Sequence, residues 1–271
     1  MALTDFQRTI YRLLANHRMS SGESYVAGGV ALNEILATSR ISRDIDLFHD
    51  TTEALEASWS ADRRLLQSQG FDVRVVRERS SYIEAEVGNN GEAVLMEWAR
   101  DSAFRFFPLQ THPDLGLTLH PFDLATNKTL ALVGRIEVRD WVDLIHACER
   151  IQALGYLAWA TCGKDPGFSP TGILEAAGRT ARYSADEVRG LAFSGPAPAL
   201  EDLARRWHAI LGGARDIVDI LPLARLGQCV LSRQRDLFRG TAAELRAAVD
   251  GDQLVFHPAR IGGAWPEIKQ R

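Results

Sequence analysis

The stretch GGVALNEILATSRISRDIDLF, residues 28–48, contains two adjacent glycines, a short apolar run, and two aspartates separated by one isoleucine. Its last residues have the apolar composition of a strand. Side chains alternate across a strand, so Asp44 and Asp46 would lie on one face, about 7 Å apart. Two carboxylates in this arrangement repel each other unless a cation lies between them.

The glycine pair predicts a place where an anion could bind. SYVAGG reads as a short strand and VALNEILA as a helix, so Gly28 and Gly29 fall between the two. Glycines let a phosphate approach the backbone, and the free N–H groups at a helix N-terminus favour an anion. Two simpler interpretations remain open: the glycines form an ordinary tight turn, and the aspartates are a solvated strand end or pair with Arg40 or Arg43.

A third carboxylate is expected on a neighbouring strand. In EAVLMEW, residues 92–98, Glu97 shares a strand face with Ala93 and Leu95, where a lone charge is costly without a partner or an ion. Together with Asp44 and Asp46 it would complete a two-metal site for Mg²⁺ or Mn²⁺ and substrate phosphates. The alternatives are that Glu97 lies at the rim of a hairpin, or that its place is taken by Glu84, Glu86 or Glu92.

The patterns along the whole chain predict an α+β fold. Thr4 and Gln7 form a capping-box pattern before a first helix, and Asn90-Gly91 suits a tight turn between two strands. Beyond His120-Pro121 the pattern becomes helical, with GKDPGFSPTG, residues 163–172, as the best loop. We therefore expect an α/β domain over residues 1–118, a small mixed sheet with flanking helices, followed by a mainly helical domain over 119–271.

Composition sets limits on compartment and partners. The 271 residues are 46% hydrophobic and 24% charged, which is typical of a soluble globular protein. A net charge of -4 gives no global attraction to nucleic acid or to an anionic membrane. The scattered Cys148, Cys162 and Cys229 favour a reduced compartment and argue against zinc. Because no apolar run has the length of a membrane span, we interpret the protein as cytoplasmic.

A second pattern contains a lysine that needs an explanation. If residues 123–135 are helical, Lys128 lies on the same stripe as Leu124 and Leu132. The chain has 28 arginines and only 3 lysines, so a point charge that reaches a phosphate would explain a lysine here. Alternatively, its stem follows apolar surface while the ammonium reaches water. In the next helix, Asp143 could simply pair with Arg139, four residues earlier.

Both patterns resemble those of a known enzyme family. GGVALNEILATSRISRDIDLF resembles the first motif of the polymerase-β-type nucleotidyltransferase superfamily, and its R-x-S-x-D-x-D ending, Arg40 to Asp46, is similar to the AbiEii/AbiGii toxin branch. DLATNKTLALVGRIEVRDWVDL resembles the second signature of that branch. The resemblance covers residues 25 to 146, and the last 120 or so residues contain no motif that matches.

The resemblance implies an enzyme that transfers a nucleoside monophosphate from an NTP, such as ATP, to an acceptor hydroxyl with the help of Mg²⁺ or Mn²⁺. Each matching residue then has an implied role. Asp44 and Asp46 hold both ions, and Glu97 holds the ion nearer the attacking oxygen. The nucleotide is bordered by Gly28, Gly29, Arg40 and Ser42, while Lys128 binds the triphosphate and Asp143 faces the nucleotide site.

The resemblance also implies a biological setting. It points to the toxin of a toxin-antitoxin or phage-defence pair, with RNA, especially tRNA 3′ ends, as the acceptor and a cognate antitoxin as partner. Two alternatives stay open: a nucleotidyltransferase that modifies a small molecule, as the aminoglycoside enzymes do, and a catalytically inactive protein that kept the fold and binds nucleotide.

Overall fold

The computed structural model describes residues 3–42, 44–179 and 183–266. Arg43, considered above as a partner of the aspartates, lies outside these ranges. The helices are α1 (Asp5–Ser21), α2 (Gly28–Ile35), α3 (Thr52–Ser68), α4 (Pro121–Arg135), α5 (Val138–Arg150), α6 (Leu154–Thr161), α7 (Pro170–Arg179), α8 (Ala185–Arg189), α9 (Leu200–Ile220) and α10 (Ala242–Asp250). The strands are β1 (Tyr25–Val26), β2 (Ile45–His49), β3 (Asp72–Arg79), β4 (Tyr82–Asn89), β5 (Glu92–Arg100), β6 (Phe104–Arg105), β7 (Gln110–His112), β8 (Gly116–Thr118), β9 (Gln228–Ser232), β10 (Leu254–Pro258) and β11 (Arg260–Ile261).

These elements form two compact units that the chain enters more than once. The first unit comprises Met1–Ala103, Leu109–His120 and Ala192–Gly195, and the second comprises Phe104–Pro108, Pro121–Leu191 and Pro196–Arg271. The α+β class predicted from the sequence is confirmed.

The first unit is built on a mixed sheet with the strand order β3-β4-β5-β2-β1-β8-β7. In its centre, β2 pairs antiparallel with β1 and parallel with β5. The strand β2, which follows the glycine-containing stretch, thus lies between β1 and β5. β1 directly precedes α2, and β5 is the second strand of the β4–β5 hairpin. The motif found in sequence therefore lies at the middle of the sheet.

Local sequence signals account for several of the observed boundaries. The capping box of α1 is present, with the Thr4 side chain accepting from the Gln7 N–H and the Gln7 side chain accepting from the Thr4 N–H. Between β4 and β5, Asn90 and Gly91 both have positive φ, 51° and 86°, as a hairpin turn requires. The predicted strand DIDLF begins one residue later than expected, at Ile45, so Asp44 precedes it.

The two faces of the sheet differ in polarity. On β2 and β5, Ile45, Leu47, Met96 and Trp98 are buried on one face. The helix α3 packs on this face, where the ring centroid of its Trp59 lies 4.7 Å from that of Trp98. The alternate positions of the same strands are half-buried and include carboxylates. We call this second face, which bears Asp46, Glu97 and Glu84, the carboxylate face.

The second unit is mainly helical but also contains strands. Tyr156, Trp159 and Ile217 pack in its core together with residues of β9 and α10. The antiparallel pairs β9–β10 and β6–β11 were not predicted. The apolar runs of β9 and β10 are too short to separate a strand from a helix, and β6 and β11 have only two residues each. Trp141 and Trp207 are buried in this unit, and Trp98 is buried in the first unit.

Among the described residues, no helix combines the length and the apolar character that crossing a membrane requires.

Candidate active site

Strand pairing aligns three carboxylates on the carboxylate face. Asp46 on β2 is the Cα partner of Glu97 on the parallel strand β5, and Glu97 is in turn the partner of Glu84 on β4. All three residues are half-buried. The expected neighbour relation between Asp46 and Glu97 is therefore present in the backbone, and Glu97 is the candidate that lies directly beside β2.

Gly28 lies against the carboxylate of Asp46. Its φ of +69° is in the left-handed region, and a Cβ atom built on it would be only 2.9 Å from Asp46 Oδ2. Gly28 is also the first residue of α2, and the preceding Ala27 has no side-chain atom that could cap the helix. Free N–H groups at this helix start and the Asp46 carboxylate thus adjoin each other, an arrangement suited to a phosphate carrying a divalent cation.

A buried asparagine fixes the segment between the glycines and β2. Asn33 Nδ2 donates to the Gly29 carbonyl at 2.7 Å, and the Thr38 hydroxyl donates to Asn33 Oδ1. Asn33 is 1% exposed and Thr38 3% exposed. Sequence reasoning missed both residues. The available signal was a polar asparagine within the otherwise apolar VALNEILA, a position that requires a hydrogen-bond partner once it is buried.

The two polar residues expected to bound the nucleotide lie in the segment before β2. Arg40 is buried and forms an isolated β-bridge with Phe193, and the Ser42 carbonyl accepts from Gln7 Nε2 at 2.9 Å. These contacts hold the backbone of the segment that leads to Asp44. The expectation that Arg40 and Ser42 contact nucleotide stays a prediction.

The donor set of the carboxylate face fits a magnesium ion only in part. Within residues 3–42, 44–179 and 183–266, no group of three His, Cys, Asp or Glu side chains is gathered closely enough to hold a metal ion. Mg²⁺, however, is usually held by one or two carboxylates, waters and substrate phosphates rather than by a complete protein cage. Asp46 and Glu97 on adjacent strands fit that requirement, and the set of Asp44, Asp46 and Glu97 as metal ligands stays a prediction.

A tyrosine lies beside one of these carboxylates. Tyr82 on β4 is the diagonal neighbour of Glu97 in the β4–β5 pair and lies on the same face. Burial, followed by the neighbouring Glu97 carboxylate, raises the pKa of Tyr82 above its ordinary value, so the phenol remains protonated. Tyr82 was not singled out from the sequence, because its relation to Glu97 depends on the register between β4 and β5.

Two buried side chains close to β2 are uncharged near pH 7. Burial, and then the charge of Asp46, raises the pKa of the fully buried Tyr11 on α1 well above its ordinary value. Burial also lowers the pKa of His49, at the end of β2, to about 4. Both side chains are therefore neutral near pH 7, and the negative charge of Asp46 is not offset by a charged histidine below the strand.

The second signature forms a buried ion cluster in the second unit. Lys128 Nζ on α4 lies 2.7 Å from Asp140 Oδ1 and 3.0 Å from Asp143 Oδ2, both on α5. Arg135 donates to both oxygens of Asp140, at 2.7 and 3.1 Å. Because the lysine side chain is only 6% exposed, the alternative of an ammonium reaching water is wrong.

The cluster also bears on the alternative proposed for Asp143. Arg139 forms its ion pair with Glu137, while Asp143 is the partner of Lys128. Burial would raise the pKa of Asp140, but Arg135 and Lys128 outweigh it and hold that pKa below its usual value. Asp140 was missed as a partner although it stands in the same R-D-x-x-D pattern. The expectation that Lys128 and Asp143 face the nucleotide stays a prediction.

Comparison with known proteins identifies the fold. No family model matches the sequence, and no curated protein matches it. The solved structure of JHP933 from Helicobacter pylori has a TM-score of 0.50 with 14% identity, over 80% of this chain and 95% of that chain. The nucleotidyltransferase toxin MenT4 from Mycobacterium tuberculosis has a TM-score of 0.49 with 14% identity, over 81% of this chain and 83% of that chain. The antibiotic-resistance factor ANT(2'')-Ia has a TM-score of 0.41 with 14% identity, over 53% of this chain and 83% of that chain.

The chain therefore shares the fold of JHP933. At 14% identity the likeness concerns the fold, and the chemistry must be argued from the residues of this chain.

Proposed function

We propose that the protein is a nucleotidyltransferase that moves a nucleoside monophosphate from an NTP to an acceptor hydroxyl with the help of Mg²⁺. One observation carries this proposal: the Asp46 carboxylate lies against Gly28 at the start of α2 and beside Glu97 on the parallel strand. An anion-binding helix start and a pair of oxygen ligands for a cation are thereby combined at one place.

Each residue of this arrangement has a task. The N–H groups at the start of α2 bind phosphate oxygens, and Gly28 lets them approach because it carries no side chain. Asp46 and Glu97 hold the metal ion, with Asp44 as the further ligand that the resemblance implies. When bound, Mg²⁺ neutralises phosphate charge and favours ionisation of the acceptor hydroxyl.

The reaction is a displacement at the α-phosphorus. A bond forms between the acceptor oxygen and the α-phosphorus, and the bond from that phosphorus to the bridging oxygen breaks. Pyrophosphate leaves with the electron pair, and the hydroxyl proton passes to water. The protein contributes mainly by positioning the two reactants and stabilising charge, which is typical of phosphoryl and nucleotidyl transfer.

An RNA acceptor is favoured by a row of arginines on the edge strand β3. A bulge between Val75 and Arg77 shifts the register, so that Arg74 and Arg77 are paired with Glu86 and Glu84 of the carboxylate face. Arg79 is paired with Tyr82 on that face. The arginine side chains at 74 and 77 are 72% and 58% exposed and lie where a polyanion could approach the site.

The finer biological assignment rests on the motif resemblance. We propose that the acceptor is an RNA 3′ end, such as that of tRNA, and that the protein is the toxin of a pair with a cognate antitoxin. Expression of the chain alone should then arrest growth, and growth should continue when Asp46 is replaced by Asn.

The reaction is tested by incubating the purified protein with each labelled NTP, Mg²⁺ and total RNA. Asp46→Asn should abolish labelling, a loss of several orders of magnitude, because the neutral amide no longer holds the cation or neutralises its charge. Its thermal melt should remain nearly that of the wild type. The matched control is Asp72→Asn at an exposed position of β3, which should label RNA at the wild-type rate.

Full labelling by Asp46→Asn would refute the site. Transfer to an aminoglycoside but not to RNA would keep the reaction and overturn the acceptor. NTP binding that requires Mg²⁺ but gives no product with any acceptor would instead support an inactive nucleotide-binding protein.

A further inference from the structure

Tyr82 occupies a position that reaches Glu97 from the neighbouring strand. In the β4–β5 pair, Tyr82 is the Cα partner of Ala99, and Glu84 is the partner of Glu97. Tyr82 and Glu97 are thus diagonal neighbours on the same face, a separation that an aromatic side chain spans. The small Ala99 opposite leaves room for the ring to lean toward Glu97, which the diagonal relation places within reach of the Tyr82 hydroxyl.

A second contact orients the tyrosine ring. The guanidinium carbon of Arg77 on β3 lies 5.9 Å from the ring centroid of Tyr82, within the range of a cation–π interaction. Arg77 also lies 3.8 Å from Glu84, the carboxylate opposite Glu97. One arginine therefore holds the ring and partly offsets the neighbouring negative charge.

Glu97 needs such support because of its neighbours. Asp46 and Glu84 are its direct Cα partners on the two adjacent strands, and like charges directly opposite each other repel. Without a fixed donor, the flexible glutamate side chain would move away from both of them and lose its orientation. A protonated phenol is a suitable donor, since it bonds a carboxylate without adding a positive charge that would repel a metal ion.

We propose that Tyr82 is a positioning residue that holds the Glu97 carboxylate in place for a divalent ion on the carboxylate face. The proposal rests on the proposed function for the role of Glu97. Tyr82 itself does not touch substrate; its hydroxyl fixes the direction of a prospective metal ligand. Partners of this kind, which hydrogen-bond a ligating carboxylate, commonly contribute 10–100-fold to metal affinity.

The first test measures binding of Mn²⁺ by electron paramagnetic resonance of the free ion. Tyr82→Phe keeps the ring and its contact with Arg77 but removes the hydroxyl, so the Kd for Mn²⁺ should rise about tenfold. The Mg²⁺ concentration for half-maximal labelling of RNA should rise by the same factor. The matched control is Tyr156→Phe, which removes a hydroxyl bonded to the Gly240 carbonyl at 2.8 Å and should leave Mn²⁺ affinity unchanged.

The second test needs neither metal nor activity. Melting temperatures of Tyr82→Phe, Glu97→Gln and the double variant in metal-free buffer form a double-mutant cycle. If the hydroxyl and the carboxylate interact, the shift of the double variant should differ from the sum of the two single shifts. Additive shifts would overturn the hydrogen bond and with it the proposal.

The two tests distinguish failure of this proposal from failure of the proposed function. Wild-type protein that binds Mn²⁺ and labels RNA, with Tyr82→Phe equal to it in both, would overturn the role of Tyr82 alone. Wild-type protein that neither binds Mn²⁺ nor labels any acceptor would overturn both proposals, even if the melting cycle shows coupling.

Discussion

Among single residues, Gly28 connects backbone conformation to the position of the Asp46 carboxylate. Its φ of +69° disfavours any side chain, and a Cβ there would lie 2.9 Å from Asp46 Oδ2. These are separable effects, because Gly22 after α1 has nearly the same φ, +68°, with no atom within 4 Å of its Cβ position. A substitution at Gly22 therefore reports the cost of the backbone conformation without a steric contact.

Gly28→Ala should lower both stability and activity, whereas Gly22→Ala should lower stability alone. Each substitution places a Cβ in the left-handed region, at a cost of about 1–2 kcal/mol in the free energy of unfolding. Only Gly28→Ala also displaces the Asp46 carboxylate and crowds the start of α2, so labelling of RNA should fall by at least about tenfold. Chemical denaturation and initial rates measure the two effects, and equal activity of both variants would contradict the contact.

The sequence indicated the surroundings of this residue only in part. A glycine pair before a helical run indicated a turn or an anion site, and the alternation within DIDLF indicated where Asp46 points. The contact between Gly28 and Asp46 depends on antiparallel pairing of β1 with β2, which brings together positions almost twenty residues apart. Tyr82 and Glu97 are likewise neighbours because of the register between β4 and β5. The alternation within a single strand does not determine that register.

Among the elements, α4 and α5 are joined by the buried cluster of Lys128, Asp140 and Asp143. Both aspartate side chains are fully buried and the lysine is 6% exposed. Removing one partner of a buried ion pair leaves an uncompensated charge, which usually costs more than the pair itself contributed. The lysine therefore has a structural task within the second unit, whatever else it contacts.

Lys128→Met should destabilise the protein by about 3 kcal/mol, since two buried carboxylates lose their shared cation. The matched control is Arg139→Met, which removes another cation of the second signature. Arg139 pairs with Glu137 at the surface, so the free energy of unfolding should change by no more than about 0.5 kcal/mol. Urea unfolding followed by circular dichroism measures both. Similar unfolding midpoints for Lys128→Met and the wild type would show that the cluster does not stabilise the helix pair.

The predicted elements failed where their patterns were short. The capping box of α1 and the Asn90-Gly91 turn were correct because their chemistry is local. The strands β9 and β10 have five residues each and were read as part of a helical region. Their pairing is decided by packing against Tyr156 and Trp159, contacts that the chain makes only after it has folded.

For the molecule as a whole, the division into units does not follow the order of the chain. The sequence predicted a boundary after residue 118, where the composition becomes helical. In the structure, Phe104–Pro108 belongs to the second unit and Ala192–Gly195 to the first. A change in composition marks where element types change, whereas the units depend on which segments pack together.

This interleaving predicts that fragments 1–118 and 119–271 do not fold separately. The first fragment loses the segment near Phe193, which bridges Arg40 and whose Ala192 carbonyl accepts from the Ile41 N–H at 2.9 Å. The second loses the N–H groups of Phe106 and Phe107, which donate to the fully buried Asp123 at 2.9 and 3.0 Å. A buried carboxylate that loses its hydrogen-bond donors is costly, although its ion pair with Lys164 would remain in this fragment.

The test expresses each fragment alone and both together, with the full chain as control. Amide proton spectra of the single fragments should show poor dispersion, and co-expression should recover a folded complex, because it restores the N–H donors to Asp123 and the bridge at Arg40. A well-dispersed spectrum from residues 119–271 alone would mean that Asp123 tolerates the loss of both donors. The structural importance of the 104–108 segment would then be refuted, and the boundary predicted from the sequence would describe an independent folding unit.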